Sequence, residues 1–88
     1  MTTSALESDH YEFSGMTVRR LRREKKFSST SFGAAIGKSP FTVMGYEAGR
    51  IMPSAPLIAR MASVLGVEPG VLFVRVTADE EPSDVVMT

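Results

Sequence analysis

Basic side chains are concentrated in the middle of this 88-residue sequence, and they are the residues best suited to binding a charged partner. The segment 16–76 carries ten lysines and arginines and three acidic residues, a net charge of +7. The two ends carry seven acidic residues, so the charge of the whole chain is zero. The even balance therefore hides a basic segment between acidic ends. A segment of this kind suits a polyanion as its partner.

Residues that carry out covalent or metal chemistry are scarce. The sequence has no cysteine, which excludes disulfides and thiolate metal sites. His10 is the single histidine and cannot build a metal site alone. The glycines do not have the spacing of a phosphate-binding loop, and no pair of carboxylates suggests an acid–base site. We therefore expect no enzyme activity, no metal and no cofactor.

The elements that must position the basic residues are predicted to be helices, marked out by capping residues. Serine and threonine favour helix starts, proline is tolerated at the first helical position, and glycine favours helix ends. The first helix is expected to begin with Thr17 as its N-cap and to end near Lys26. The second would start after Ser28 and end at Gly37, with Phe32, Ala35 and Ile36 facing inward.

The third helix is expected to run from Pro40 to about Glu47, after Ser39 as its cap. A fourth would start at Pro53-Ser54 and end at Gly66, and a short turn would follow at Pro69. The connection of about three residues between the second and third helices is the size used in a helix-turn-helix unit.

The two ends of the predicted helical region have weak strand character, at residues 10–13 and 73–76. The predicted fold is therefore all-α, a compact domain of four to five helices with short terminal β-strands. We expect a flexible acidic arm over residues 1–15, the helical domain over 16–76 and an acidic tail over 77–88.

From about Val18 to Leu72 the sequence resembles the Cro/phage-repressor (XRE-like) helix-turn-helix DNA-binding family. Several short motifs at matching spacings carry this resemblance: Leu21-Arg22, Phe27-Ser28, Ala35-Ile36-Gly37, Ser39, Tyr46-Glu47, Gly49, Pro53-Ser54, Ala62 and Leu65-Gly66-Val67. The resemblance implies a repressor-like fold and a DNA-binding transcriptional regulator, most simply a repressor.

In such proteins the third helix enters the major groove of duplex DNA. The residues that match base-contacting positions are Pro40, Phe41, Thr42, Met44 and Gly45. Those expected to contact phosphates are Arg22, Ser28, Ser29, Lys38, Ser39 and Arg50. The resemblance also implies that Arg22 pairs with Glu47 as a structural clamp.

The third helix departs from the family pattern because it has no Arg, Lys, Asn or Gln, the usual readers of purine edges. Two interpretations remain open. Phe41, Pro40 and the Thr42 methyl group read thymine methyl groups, with the rest supplied by DNA shape. Alternatively, the domain is a protein-binding module (an antirepressor, an antitoxin or a partner subunit) that uses Phe41, Met44, Ile51 and Met52.

The remaining expectations concern assembly and location. Operators are pseudo-palindromic, so we expect a homodimer, formed through the fifth turn and the terminal strands pairing within one chain or across two. No apolar run approaches the length of a membrane span, and the N-terminus does not resemble a signal peptide. We therefore expect a cytoplasmic, nucleoid-associated protein of a bacterium or phage, without membrane contact.

Overall fold

The computed structural model describes residues 9–77, which form four helices and a two-stranded sheet. The order of elements is β1 (Asp9–Phe13), α1 (Gly15–Glu24), α2 (Ser29–Ile36), α3 (Pro40–Ala48), α4 (Ala55–Leu65), a 3₁₀ turn (Pro69–Leu72) and β2 (Phe73–Thr77). The predicted fold class, including the terminal strands, is confirmed. The outer parts of the predicted arm and tail, residues 1–8 and 78–88, lie outside the described residues.

Each α-helix begins at a serine whose side chain accepts a backbone N–H three residues on, as the sequence predicted for α2, α3 and α4. The prediction for α1 was wrong. Its N-cap is Ser14, whose Oγ accepts from the Thr17 amide at 3.1 Å. Gly15 is therefore the first residue of α1 and does not separate the arm from the helix. Ser14 also donates its amide to the Leu72 carbonyl, which ties the start of α1 to the 3₁₀ turn.

The core lies where the four helices meet. Its buried hydrophobic residues are Val18, Leu21, Phe32, Ile36, Val43, Tyr46, Ile58, Met61, Ala62, Leu65 and Leu72. Ala35 was predicted to face inward but is exposed. Gly33, two residues earlier on α2, is buried instead, and a Cβ at this position would collide with the Lys38 carbonyl oxygen. The turn between α2 and α3 therefore packs directly on the backbone of α2.

The two strands pair with each other within one chain, in antiparallel register from Asp9 opposite Thr77 to Phe13 opposite Phe73. The rings of Phe13 and Phe73 meet edge-on, with centroids 6.4 Å apart, and both pack against the core. This contact fixes the sheet to the helical domain. Of the two pairings that the sequence left open, the structure has the intrachain one.

Gly15 marks a close approach of α1 to α3, and its replacement by alanine tests this packing. A Cβ at Gly15 would overlap the carbonyl oxygens of Tyr46 and Glu47, which belong to the α3 backbone and cannot rotate away. We expect Gly15→Ala to lower the free energy of unfolding by ~1–3 kcal/mol, measured by urea denaturation. The control is Gly70→Ala, where a Cβ would meet no atom within 4 Å. Equal stability of the two variants would contradict the close approach.

Candidate nucleic-acid interface

Helix α3 is presented on the surface by the short turn that connects it to α2. Gly37 has a φ of +77°, a left-handed conformation that glycine adopts without steric cost, and it ends α2. Lys38 then donates its amide to the Gly33 carbonyl at 2.8 Å. Ser39 caps α3, with Pro40 at the first helical position. The turn therefore fixes where α3 begins and leaves Pro40 and Phe41 exposed.

The other end of α3 is held to α1 by a buried ion pair between Arg22 and Glu47. The Arg22 Nε donates to the Glu47 Oε2 at 2.6 Å and its Nη2 donates to the Oε1 at 3.1 Å, a bidentate arrangement. The Nη1 donates to the Phe27 carbonyl at 2.9 Å. The two side chains are only 10% and 6% exposed. All three nitrogens of Arg22 are thus used inside the protein, which favours its predicted role as a clamp over its predicted role at a phosphate.

A cleft of about 340 Å³ lies between α1, the start of α2 and the end of α3. Arg19 and Arg50 line it together with Ser29 and Met44. Lys38 stands at the other end of α3, directly before its first turn. We call Arg19, Lys38 and Arg50 the cationic frame of α3. All three are exposed, and none forms an ion pair with a carboxylate of residues 9–77.

The cationic frame therefore presents uncompensated positive charge around α3. Of the other basic residues of α1, Arg20 and Arg22 are paired with Glu24 and Glu47, whereas Arg23 is exposed and forms no ion pair with a carboxylate of residues 9–77. A surface with unpaired cations at both ends of a partly exposed helix is suited to a polyanion whose charges flank that helix.

The structure brings most of the predicted contact residues to the surface around α3. Exposed members of the predicted base-contacting and phosphate-contacting sets are Ser28, Lys38, Ser39, Pro40, Phe41, Met44 and Arg50. Ser29 and Thr42 are half-buried. Gly45 must be removed from the base-contacting set, because it is buried beneath Ile51, whose Cδ1 would lie 2.5 Å from a Cβ at that position.

Four exposed hydrophobic side chains lie on and beside α3, and we call them the apolar patch. They are Phe41, Met44, Ile51 and Met52, with exposures of 76%, 49%, 43% and 71%. Phe41 and Met44 are three residues apart and share one face of the helix. Ile51 packs on Gly45, which is the next residue along α3. The apolar patch is therefore the surface to which both interpretations of the sequence apply, the reading of thymine methyl groups and the binding of a protein partner.

Sequence reasoning did not single out Arg19, although it lines the cleft with Arg50. The available signal was its spacing, since Arg19 lies three residues before Arg22 and so on the same side of α1. Gly33 was also missed, because nothing in the sequence distinguishes a glycine beneath a turn from an ordinary helical glycine.

Two further kinds of feature, a membrane-spanning helix and a metal site, can be searched for among the described residues. Among residues 9–77, no helix combines the length and hydropathy that crossing a membrane requires. Within the same range, no three His, Cys, Asp or Glu side chains come together in a way that could hold a metal ion.

Comparison with curated proteins finds similarity to multiprotein-bridging factor 1 of Candida glabrata. The two are 37% identical over 54 residues, which make up 61% of this chain and 36% of the yeast protein. This chain therefore spans little more than a third of the curated relatives that it matches.

Comparison with solved structures finds the same fold in two regulators. The restriction-modification controller protein C.AhdI from Aeromonas hydrophila is 32% identical, with a TM-score of 0.64 over 67% of this chain and 89% of that one. The P22 c2 repressor, solved in complex with a synthetic operator, is 20% identical, with a TM-score of 0.65 over 69% of this chain and 92% of that one. At that identity the repressor shows the fold alone.

The fold also occurs as part of an enzyme. Hydroxypropylphosphonic acid epoxidase from S. wedmorenis is 24% identical, with a TM-score of 0.64 over 68% of this chain but only 32% of the epoxidase. This likeness again concerns the fold alone. A family model described as a helix-turn-helix domain matches residues 15–73, which include all four helices and the 3₁₀ turn. The resemblance to the repressor-type helix-turn-helix proteins is thus confirmed, and the chain belongs to the helix-turn-helix domain family.

Proposed function

We propose that this protein is a DNA-binding transcriptional regulator, most simply a repressor, that places α3 in the major groove of duplex DNA. The observation that carries the proposal is the cationic frame. Arg19 and Arg50 on one side of α3, and Lys38 before its first turn, are exposed cations that pair with no carboxylate of residues 9–77. Backbone phosphates flank the major groove on both sides and suit cations in these positions.

Backbone amides add to this positive surface. The first N–H groups of a helix have no partner within the helix, and the helix dipole gives that end a partial positive charge. Ser29 stands at the start of α2 and lines the same cleft as Arg19 and Arg50. One phosphate bound there would be contacted by cationic side chains and by helix N–H groups together.

We further propose that two copies bind one operator. The sheet of residues 9–77 has two strands, so both are edge strands. The backbone N–H and C=O groups on the outer edge of each strand can pair with a strand of another chain. Tyr11 on β1 and Val74 on β2 are exposed hydrophobic residues of this sheet. A cytoplasmic location follows from this function and is part of the same proposal.

The experiment is selection of duplexes from a random-sequence pool by the purified full chain, followed by fluorescence anisotropy in a salt titration. The selected duplex should bind ~10³-fold or more tightly than a duplex of the same composition in permuted order, at about 150 mM salt. Sedimentation of the complex should give two chains per duplex. Equal affinity for both duplexes, lost as salt rises, would leave only the non-specific charge effect and would contradict the proposal.

A second candidate function is binding of a protein partner through the apolar patch. Its support is the exposure of Phe41 and Met52, since contiguous exposed hydrophobic side chains often mark interaction sites. Relatives named as multiprotein-bridging factors are consistent with such a role. A failure of DNA selection would favour this candidate over the first.

A further inference from the structure

The outward face of α3 has an unusual chemistry for a helix surrounded by cations. Phe41 and Met44 are exposed on it, and Ala48, one further turn along, is exposed as well. These three side chains follow helical spacing and form one apolar stripe. A helix that enters the major groove with this stripe outward presents carbon and sulfur atoms to the bases.

The polar side chains of α3 are engaged elsewhere. The Ser39 hydroxyl donates to the Thr42 Oγ1 at 3.0 Å and accepts the Thr42 amide at 3.1 Å, so both hydroxyls belong to the helix cap. Glu47 is bound by Arg22. The helix has no amide or guanidinium side chain of its own. Bidentate hydrogen-bonded reading of purines by α3 side chains is therefore not available in this structure.

The positive charge of the cationic frame indicates which kind of partner can bind against the apolar stripe. The cationic frame complements the phosphates that flank the major groove of duplex DNA, and this charge complementarity selects duplex DNA as the occupant. In the major groove, the apolar group offered by a base pair is the 5-methyl group of thymine. 5-Methylcytosine carries a methyl group at the same ring position, so the two bases share one chemistry. Methionine adapts its shape to such contacts because its side chain is unbranched and polarisable.

We infer that α3 recognises 5-methylpyrimidines in the major groove, with Phe41 and Met44 as the specificity-determining residues. This inference rests on the proposed function. It predicts a regulator that prefers sequences by the positions of their methyl groups in the major groove. Its affinity for other DNA sequences then comes from the cationic frame.

The test compares four duplexes built on the selected site: one with thymine, one with deoxyuridine at every thymine, and two in which the T·A pair most sensitive to deoxyuridine is replaced by a pair of guanine with either cytosine or 5-methylcytosine. Deoxyuridine removes only the methyl group. Affinity should fall about fourfold for each contacted methyl, or about 15-fold for two of them. Tighter binding of the 5-methylcytosine duplex than of its cytosine counterpart would show that methylated cytosine also serves, and equal binding of the two would assign the contact to thymine.

The variants Phe41→Ala and Met44→Ala should bring the thymine-to-deoxyuridine affinity ratio toward one and leave the salt dependence unchanged. Val71→Ala is the matched control, because Val71 is a similarly exposed hydrophobic residue in the 3₁₀ turn. A retained sequence preference with equal affinity for the thymine and deoxyuridine duplexes would overturn this inference and leave the proposed function intact. No preference for any sequence in the selection would overturn both.

Discussion

Replacing Glu47 by alanine is expected to lower the free energy of unfolding by ~3–5 kcal/mol. The substitution leaves the Arg22 guanidinium buried at 10% exposure with one acceptor, the Phe27 carbonyl, in place of three. A buried charge without its partner is costly because water cannot solvate it. Total stabilities of small domains are about 5–15 kcal/mol, so this decrease is a large part of the whole.

The measurement is urea denaturation followed by circular dichroism, with Glu24→Ala as the matched control. Glu24 pairs with Arg20 at 3.3 Å, but both side chains are more than half exposed, and such surface pairs contribute ~0–1 kcal/mol. The double variant Arg22→Met with Glu47→Leu should recover much of the stability, since hydrophobic residues can replace a buried ion pair. A destabilisation at Glu47 no larger than at Glu24 would contradict the clamp.

Removing the cationic frame is expected to abolish most DNA binding without unfolding the protein. The triple variant Arg19→Gln, Lys38→Gln and Arg50→Gln should reduce the slope of log K against log salt by about 0.9 for each phosphate that the protein no longer neutralises. At about 0.1 M salt this corresponds to an affinity lower by a factor of 10²–10³. The three side chains are exposed and pair with no carboxylate of residues 9–77, so stability should change little.

Single variants separate local contact from overall charge. Lys38→Gln and Lys25→Gln change the net charge equally, but Lys25 places its Nζ beside Gly66, at the far end of α4 from Ser54. We expect a change of slope for Lys38→Gln and almost none for Lys25→Gln. Equal effects would mean that DNA responds to the charge of the whole protein, and the proposed orientation of α3 would then be wrong.

The positions of the helices followed from the sequence because their boundaries have local causes. Ser28, Ser39 and Ser54 cap helices, and Gly37 and Gly66 end them in a left-handed conformation. Each of these signals acts within three or four residues, so the sequence displays it directly. The error at Thr17 had a long-range cause, because Ser14 and Thr17 are both acceptable caps and the hydrogen bond from the Ser14 amide to the Leu72 carbonyl of the 3₁₀ turn favours Ser14.

The parts that could not be predicted depend on contacts between elements. Gly15 and Gly33 are required where one backbone meets another, a condition that neither residue's neighbours in sequence reveal. Gly45 was assigned to the base-contacting set from its position on α3, yet Ile51 folds back to cover it. Arg19 joins the cleft because α1 crosses near the end of α3, a geometry fixed by the Arg22–Glu47 pair.

The pairing of β1 with β2 has a consequence for how this domain can be used in larger proteins. Asp9 and Thr77 are cross-strand partners, so the chain enters and leaves the domain at adjacent points. A domain whose chain enters and leaves at adjacent points can be inserted into another protein with little change to the structure of that protein. A fusion joined at these two positions should therefore leave α3, on the helical part of the domain, accessible to its partner.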